Sequence, residues 1–216
     1  MSVQRDESRL DALAAIGPAQ PHAQAETDVP LLNIANVLTM LRIVLVPLFV
    51  LALFVDDGHD TAWRITAAAL FAVAAITDRF DGQLARKYGL VTDFGKLADP
   101  IADKALIGSA LIGLSVLGDL AWWMTIVICG REIGVTLLRL AVVRRGVIPA
   151  GRGGKLKTLV QSLAIGFLLL PLSGGFATAG MLLMWLALIL TVVTGLDYVG
   201  QAARLWFAGS SRARGT

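Results

Sequence analysis

Asp78 and Asp81 stand three positions apart, and Asp99 and Asp103 four apart, in the stretch TDRFDGQLARKYGLVTDFGKLADPIADK that covers residues 77–104. On α-helices either spacing projects both carboxylates from one face, with about 5–6 Å between Cβ atoms. Sequential antiparallel helices bring two such faces to one depth. A carboxylate held at membrane depth costs about 2.5–3.5 kcal/mol, and four together also repel one another, so cations belong among them. Hard oxygen donors without His or Cys in the stretch favour Mg2+ or Mn2+ over zinc, and four carboxylates suit two ions about 3.5–4 Å apart that share ligands. A solvated acidic loop, or Asp–Arg pairs that only hold helix ends together, is the plainer reading that spacing alone leaves open.

The neighbouring residues suit a phosphate-bearing ligand. Gly82 and Gly95 remove side chains where such a ligand would approach the backbone. Arg86 is placed to reach a phosphate oxygen. Pro100 lacks a backbone donor and predicts a helix start or a bend beside Asp99.

These residues need elements to position them, and the composition says what kind. Of 216 residues 56% are hydrophobic and 16% charged, a balance that points to a bilayer as solvent. Apolar runs recur after residue 31, so a cleaved leader does not account for them. Six spans are predicted: about 37–55, one from Trp63 into the aspartate stretch, one from about 95 through ALIGSALIGLSVLG, one from LAWWMTIVICG, then TLVQSLAIGFLLLPL, and one from about Ala179. The apolar part of the third is too short to cross alone, so its aspartate-bearing end must be helical too.

VDDGHDTA, LGDLA and SGGFATAG contain no Lys or Arg, whereas 79–96, 139–157 and 204–214 hold most of them. The positive-inside rule then places both termini in the cytoplasm. The expected architecture is an all-α integral membrane protein: a polar tail over 1–30, a six-helix catalytic body over 31–208 and a short basic tail over 209–216. Cys129 is the lone cysteine and is read as a packed side chain.

The pattern Asp78-x2-Asp81-Gly82-x2-Ala85-Arg86-x8-Gly95-x3-Asp99-x3-Asp103 fixes eight positions over 26 residues and resembles the complete motif of the CDP-alcohol phosphotransferase family. NIANVLTMLRIVLVP, LADPIADK, GREIGVTLLR and GGKLKT are similar to its bacterial branch that makes phosphatidylglycerophosphate. The likeness covers about residues 31–207. Ala98 stands where a larger aliphatic residue would be unsurprising.

The resemblance implies that CDP-diacylglycerol and sn-glycerol 3-phosphate give phosphatidylglycerophosphate and CMP. It implies two Mg2+ or Mn2+ ions on Asp78, Asp81, Asp99 and Asp103, with Asp103 as the general base and hence the least firmly metal-held. By the same likeness Gly82, Ala85, Arg86 and Gly95 contact the CDP group, and Asn36, Thr39 and Arg42 line the same cavity. Arg131, Arg139, Lys155, Lys157 and Arg42 are candidates for the acceptor phosphate. Arg144, Arg145 and Arg152 compete with them, and Glu132 is placed to orient a basic partner. Topology competes as an explanation of this basic stretch, since cations near the cytoplasmic face also anchor to anionic headgroups. Arg42 is equally open to reading as a snorkelling residue.

Family members are dimers, so a homodimer in the cytoplasmic membrane of a bacterium is expected, with membrane lipids and no nucleic acid as partners. The same chemistry with inositol phosphate, inositol, serine or phosphatidylglycerol as acceptor is the nearest alternative. A divalent-cation transporter is the alternative of another class.

Overall fold

The computed structural model describes the backbone over residues 34–88, 93–142 and 152–212, and side chains over 36–79, 98–141 and 153–204. The expected tail over 1–30 lies outside the described residues. The described residues form six long α-helices and no strand: α1 Ile34–Phe54, α2 Thr61–Tyr88, α3 Asp93–Val116, α4 Trp122–Val142, α5 Arg152–Leu169 and α6 Gly175–Arg212. Each coincides with one predicted span, and α2 and α3 both run through the aspartate-bearing stretches. α6 continues into the segment expected as a basic tail. Its 38 residues amount to about 57 Å at ~1.5 Å per residue, well beyond a hydrocarbon core of ~30 Å.

Asn36–Gly58 and Gly175–Arg204 are long and apolar enough to cross a membrane on length and composition alone. Side chains on both these and the other helices are distributed unlike those of a water-solvated bundle. Leu51, Ile126, Leu140, Leu182 and Leu196 are exposed, while Asn36, Thr39, Arg42, Lys157, Gln161 and Thr191 are buried. A protein solvated by lipid has this inverted arrangement, because polar groups are satisfied only inside the bundle.

α1 is the central element. Its residues Asn36, Thr39, Arg42, Leu45, Phe49, Ala52 and Leu53 are all buried, and their spacing of three and four puts them in one stripe. The last four face Ala67, Ala68, Phe71 and Ala74 of α2 and Leu106, Ala110 and Leu114 of α3 within one hydrophobic core. Small residues on α2 let the larger α1 side chains approach closely. The Phe49 and Phe71 rings meet tilted by 54° at 5.9 Å, a favourable aromatic geometry. α2 and α3 pack against each other, and α1 packs more extensively against both than they do against one another. Pro100 lies within α3, seven residues after the helix begins, and is therefore not the helix start that was one of its two expected roles.

The tight turn between α1 and α2 passes through Asp56, Asp57 and Gly58, all with positive φ. At Gly58 a Cβ would come within 2.7 Å of Leu117, so glycine is required there by conformation and by contact. Asp60 then caps α2, its Oδ1 accepting from the Trp63 N–H at 2.8 Å.

The same end of the bundle is clamped by Arg64, an interaction the charge count did not reveal. Buried near the start of α2, Arg64 donates to Asp119 Oδ2 at 2.6 Å and to the Leu168 and Leu169 carbonyls at 2.8 and 3.0 Å. One guanidinium thus closes the α3–α4 connection and the C-terminus of α5, whose last carbonyls have no intrahelical partner. Arg64→Ala is expected to lower stability by about 2–3 kcal/mol, read as a fall in the thermal unfolding midpoint in detergent. An unchanged midpoint would show that the clamp adds nothing.

Candidate functional site

The first three buried residues of the α1 stripe are polar, and they face the aspartates. Arg42 Nη1 meets Asp78 Oδ1 of α2 at 2.8 Å, and the Thr39 hydroxyl donates to Asp99 Oδ1 of α3. Asn36 lies one turn earlier and is equally buried. Asp78 is within electrostatic range of both Asp99 and Asp103, and Arg42 within range of Asp103. The two acidic helices are therefore coupled through α1, which supplies one hydroxyl and one cation. This places Arg42 against Asp78, on the same stripe as Asn36 and Thr39 with which it was expected to line a cavity. A guanidinium with 0% exposure does not snorkel.

Asp103 faces a second group of side chains. It lines a cavity of about 230 Å³ between α3, α4 and α5, with Lys104, Glu132, Lys157, Thr158 and Gln161 among the polar members and Leu111 and Ile128 among the apolar ones. Along the helix axes the polar residues collect toward the aspartates and the apolar ones toward the middle of the bundle. Glu132 Oε1 accepts from Lys157 Nζ and, at 3.1 Å, from Arg131 Nη1, as its position beside Arg131 suggested.

Arg131 also ties α4 to α6, donating to the Thr191 carbonyl at 3.2 Å and to Thr194 Oγ1 at 2.7 Å. Gly195 makes room for it, since a Cβ there would come within 3.0 Å of Arg131 Cγ. Tyr198, buried on α6, accepts from Arg139 Nη2. Its ring has the Arg131 and Arg139 guanidinium carbons at 5.7 and 4.7 Å from its centroid, within cation–π range. Asp197, next to it and exposed, accepts instead from Gln201.

The residues expected to contact substrates divide accordingly. Asp78, Asp99, Asp103, Asn36, Thr39 and Arg42 gather around the head of α1. Arg131, Arg139 and Lys157 belong to the α4–α5–α6 network, joined to the first group through the cavity at Asp103. Lys157 is 4% exposed, whereas Lys155, two residues earlier and on another face of α5, is exposed. Asp81, Gly82, Ala85 and Arg86 lie on α2 and Gly95 on α3, but their side chains fall outside the described residues, as does that of Arg152; Arg144 and Arg145 fall wholly outside. Thr191, Thr194 and Gln161 were not foreseen: each sits inside an apolar helix where a single polar residue carries no pattern.

Among the described residues no three Asp, Glu, His or Cys side chains converge tightly enough to cage an ion. The donors that are described fit a hard divalent cation in kind, because Asp78, Asp99 and Asp103 are all oxygen donors within one another's field.

Residues 32–193 match the CDP-alcohol phosphatidyltransferase family. The chain is 60% identical over 198 residues to the Mycobacterium tuberculosis protein named "Probable phosphatidylglycerophosphate synthase", covering 91% of this chain and 95% of the relative. It is 41% identical over 186 residues to the CDP-diacylglycerol--glycerol-3-phosphate 3-phosphatidyltransferase of Bacillus subtilis, covering 78% and 94%. The Escherichia coli protein of the same name is 36% identical over 177 residues, covering 79% and 94%.

The Glu132–Lys157 pair makes a quantitative expectation. Lys157 is buried and Glu132 half-buried, so removing the carboxylate strands the ammonium at a cost below the ~3–5 kcal/mol of a fully buried pair, whereas replacing both by apolar groups of similar volume is often neutral. Glu132→Ala should therefore lower the unfolding midpoint, and Glu132→Leu/Lys157→Met should recover most of the loss. Equal midpoints for the single and double variants would mean that the two residues are not coupled.

Proposed function

The chain belongs to the CDP-alcohol phosphatidyltransferase family, and from that premise we propose that it transfers the phosphatidyl group of CDP-diacylglycerol to sn-glycerol 3-phosphate, giving phosphatidylglycerophosphate and CMP. Relatives named for this reaction, each with nearly its whole length matched, support the choice of acceptor. The site supports the chemistry: one carboxylate, Asp103, belongs both to the acidic cluster held by α1 and to the cavity that carries Lys157 and Glu132.

In this reading Asp78, Asp81, Asp99 and Asp103 would hold two Mg2+ or Mn2+ ions, whose positive charge would offset that of the pyrophosphate and of the departing CMP. Arg42 and Thr39 hold Asp78 and Asp99 in place from α1. Gly82, Ala85 and Gly95 leave space for the nucleotide, with Arg86 and Asn36 at its edge. Lys157, Arg131 and Arg139 attract the acceptor phosphate, and Lys155 recruits it from the surface.

Asp103 then takes the proton of the acceptor C1 hydroxyl. That oxygen forms a bond to the lipid-side phosphorus, the bond from phosphorus to the bridging oxygen breaks, and CMP leaves with the electron pair. All six helices cross the cytoplasmic membrane, both termini lie inside, and the site opens to the cytoplasm, where both CDP-diacylglycerol headgroup and acceptor arrive. The working unit is a homodimer.

Purified protein offered CDP-diacylglycerol and magnesium should release CMP with glycerol 3-phosphate and not with inositol, inositol phosphate, serine or phosphatidylglycerol. Release with one of those and not with glycerol 3-phosphate would replace the acceptor. Chelation by EDTA should abolish turnover, and added Mg2+ or Mn2+ should restore it. Asp103→Asn should reduce CMP release by about 10²–10⁴-fold while CDP-diacylglycerol binding stays within twofold; normal turnover would remove Asp103 as the base.

A further inference from the structure

Gln161 lies four residues beyond Lys157 on α5, one turn deeper in the bundle. It is 2% exposed, and its Oε1 is enclosed without a hydrogen-bond partner among the described residues. A buried carbonyl left this way costs about 1–3 kcal/mol, which an apolar side chain of the same shape would avoid. Its neighbours on α5, Val160, Ala164 and Ile165, are buried and apolar, so helix packing has no need of an amide there. The cavity supplies a reason, because Gln161 and Asp103 line the same one, with Thr158 and the Glu132–Lys157 pair on its wall.

The chemistry of the missing partner follows from the amide and its surroundings. A carboxamide offers an acceptor and two donors in one plane, which matches a hydroxyl, itself both donor and acceptor. A phosphate oxygen would use only the amide's donors and leave its oxygen, the atom that is enclosed without a partner, still unpaired. An acyl chain would leave the amide unpaired. A cavity of about 230 Å³ is below the ~300–1,000 Å³ of sites for drug-sized ligands and suits a small polyol.

We propose that Gln161 determines specificity by bonding the non-reacting C2 hydroxyl of the acceptor polyol phosphate while Asp103 engages the C1 hydroxyl. The proposal rests on the reaction proposed above. A site built to bond a hydroxyl rejects the analogue that lacks it, because its own polar groups are then left unpaired.

The test compares kcat/KM for sn-glycerol 3-phosphate and for 3-hydroxypropyl phosphate, which lacks only the C2 hydroxyl, by CMP release from CDP-diacylglycerol in mixed micelles. Wild-type protein should prefer the natural acceptor by about 10–100-fold. Gln161→Met should bring the two within about threefold, with the loss confined to glycerol 3-phosphate, the KM for CDP-diacylglycerol unchanged and the unfolding midpoint not lowered. Gln161→Asn, with the amide on a shorter arm, should discriminate to an intermediate degree and serves as the readout should the methionine variant not fold. A wild-type enzyme indifferent to the C2 hydroxyl, or Gln161 variants that discriminate as well as wild type, would overturn the assignment while leaving the reaction standing. No CMP release by wild type with glycerol 3-phosphate would sink the reaction and the assignment together.

Discussion

Arg42 has no exposed surface, and a guanidinium in a lipid-solvated bundle keeps its charge only with an anion against it. Asp78 is that anion. Such a pair contributes little net stability compared with apolar packing, yet it is strongly position-dependent, since separating the two strands a charge. Arg42 therefore fixes the register of α1 along α2. With that register set, Thr39 falls opposite Asp99, and α3 is held from the same face of the same helix. The acidic cluster is a consequence of α1 being seated, more than of α2 and α3 finding each other.

A second polar assembly performs the same service for α4, α5 and α6. Arg131 runs through the gap that Gly195 leaves and ends on Thr194 and Glu132, and Lys157 completes the group from α5. Tyr198 stacks against the two arginines and accepts from one of them, so positive charge is concentrated on a rigid surface at reduced desolvation. The negative group faces the positive one across the cavity that Asp103 and Gln161 share. The acidic and basic side chains are thereby kept on adjacent walls, each held by partners of its own, without the two charge sets collapsing onto each other.

Much of this was legible in the residues alone, and what was not has definite causes. Long apolar runs revealed the helices, because a hydrocarbon core imposes a length, and the aspartate spacing revealed a shared face. The role of α1 was not legible: that Arg42 turns inward depends on which stripe of α1 packs, and both of its faces are apolar over most of their length. Lys155 and Lys157 were indistinguishable because the residues before them carry no period that orients α5, although two positions differ by about 200° around a helix. Gln161 and Thr194 are single polar residues within apolar runs, and only packing shows that they meet something. Arg64 escaped attention because charge counting over connections overlooks a cation already inside a helix.

The unequal apolarity of the helices bears on how the protein enters its membrane. α1 and α6 are long and apolar enough to partition alone, whereas α2 and α3 carry Asp78, Asp99 and Asp103, each penalised by about 2.5–3.5 kcal/mol at mid-bilayer on insertion scales. α1 emerges from the ribosome before α2 and α3, and Arg42 travels with it. A helix that precedes α2 and α3 in the chain thus brings the counter-charge those less apolar segments need, and the order of synthesis and the electrostatics of assembly run in the same direction.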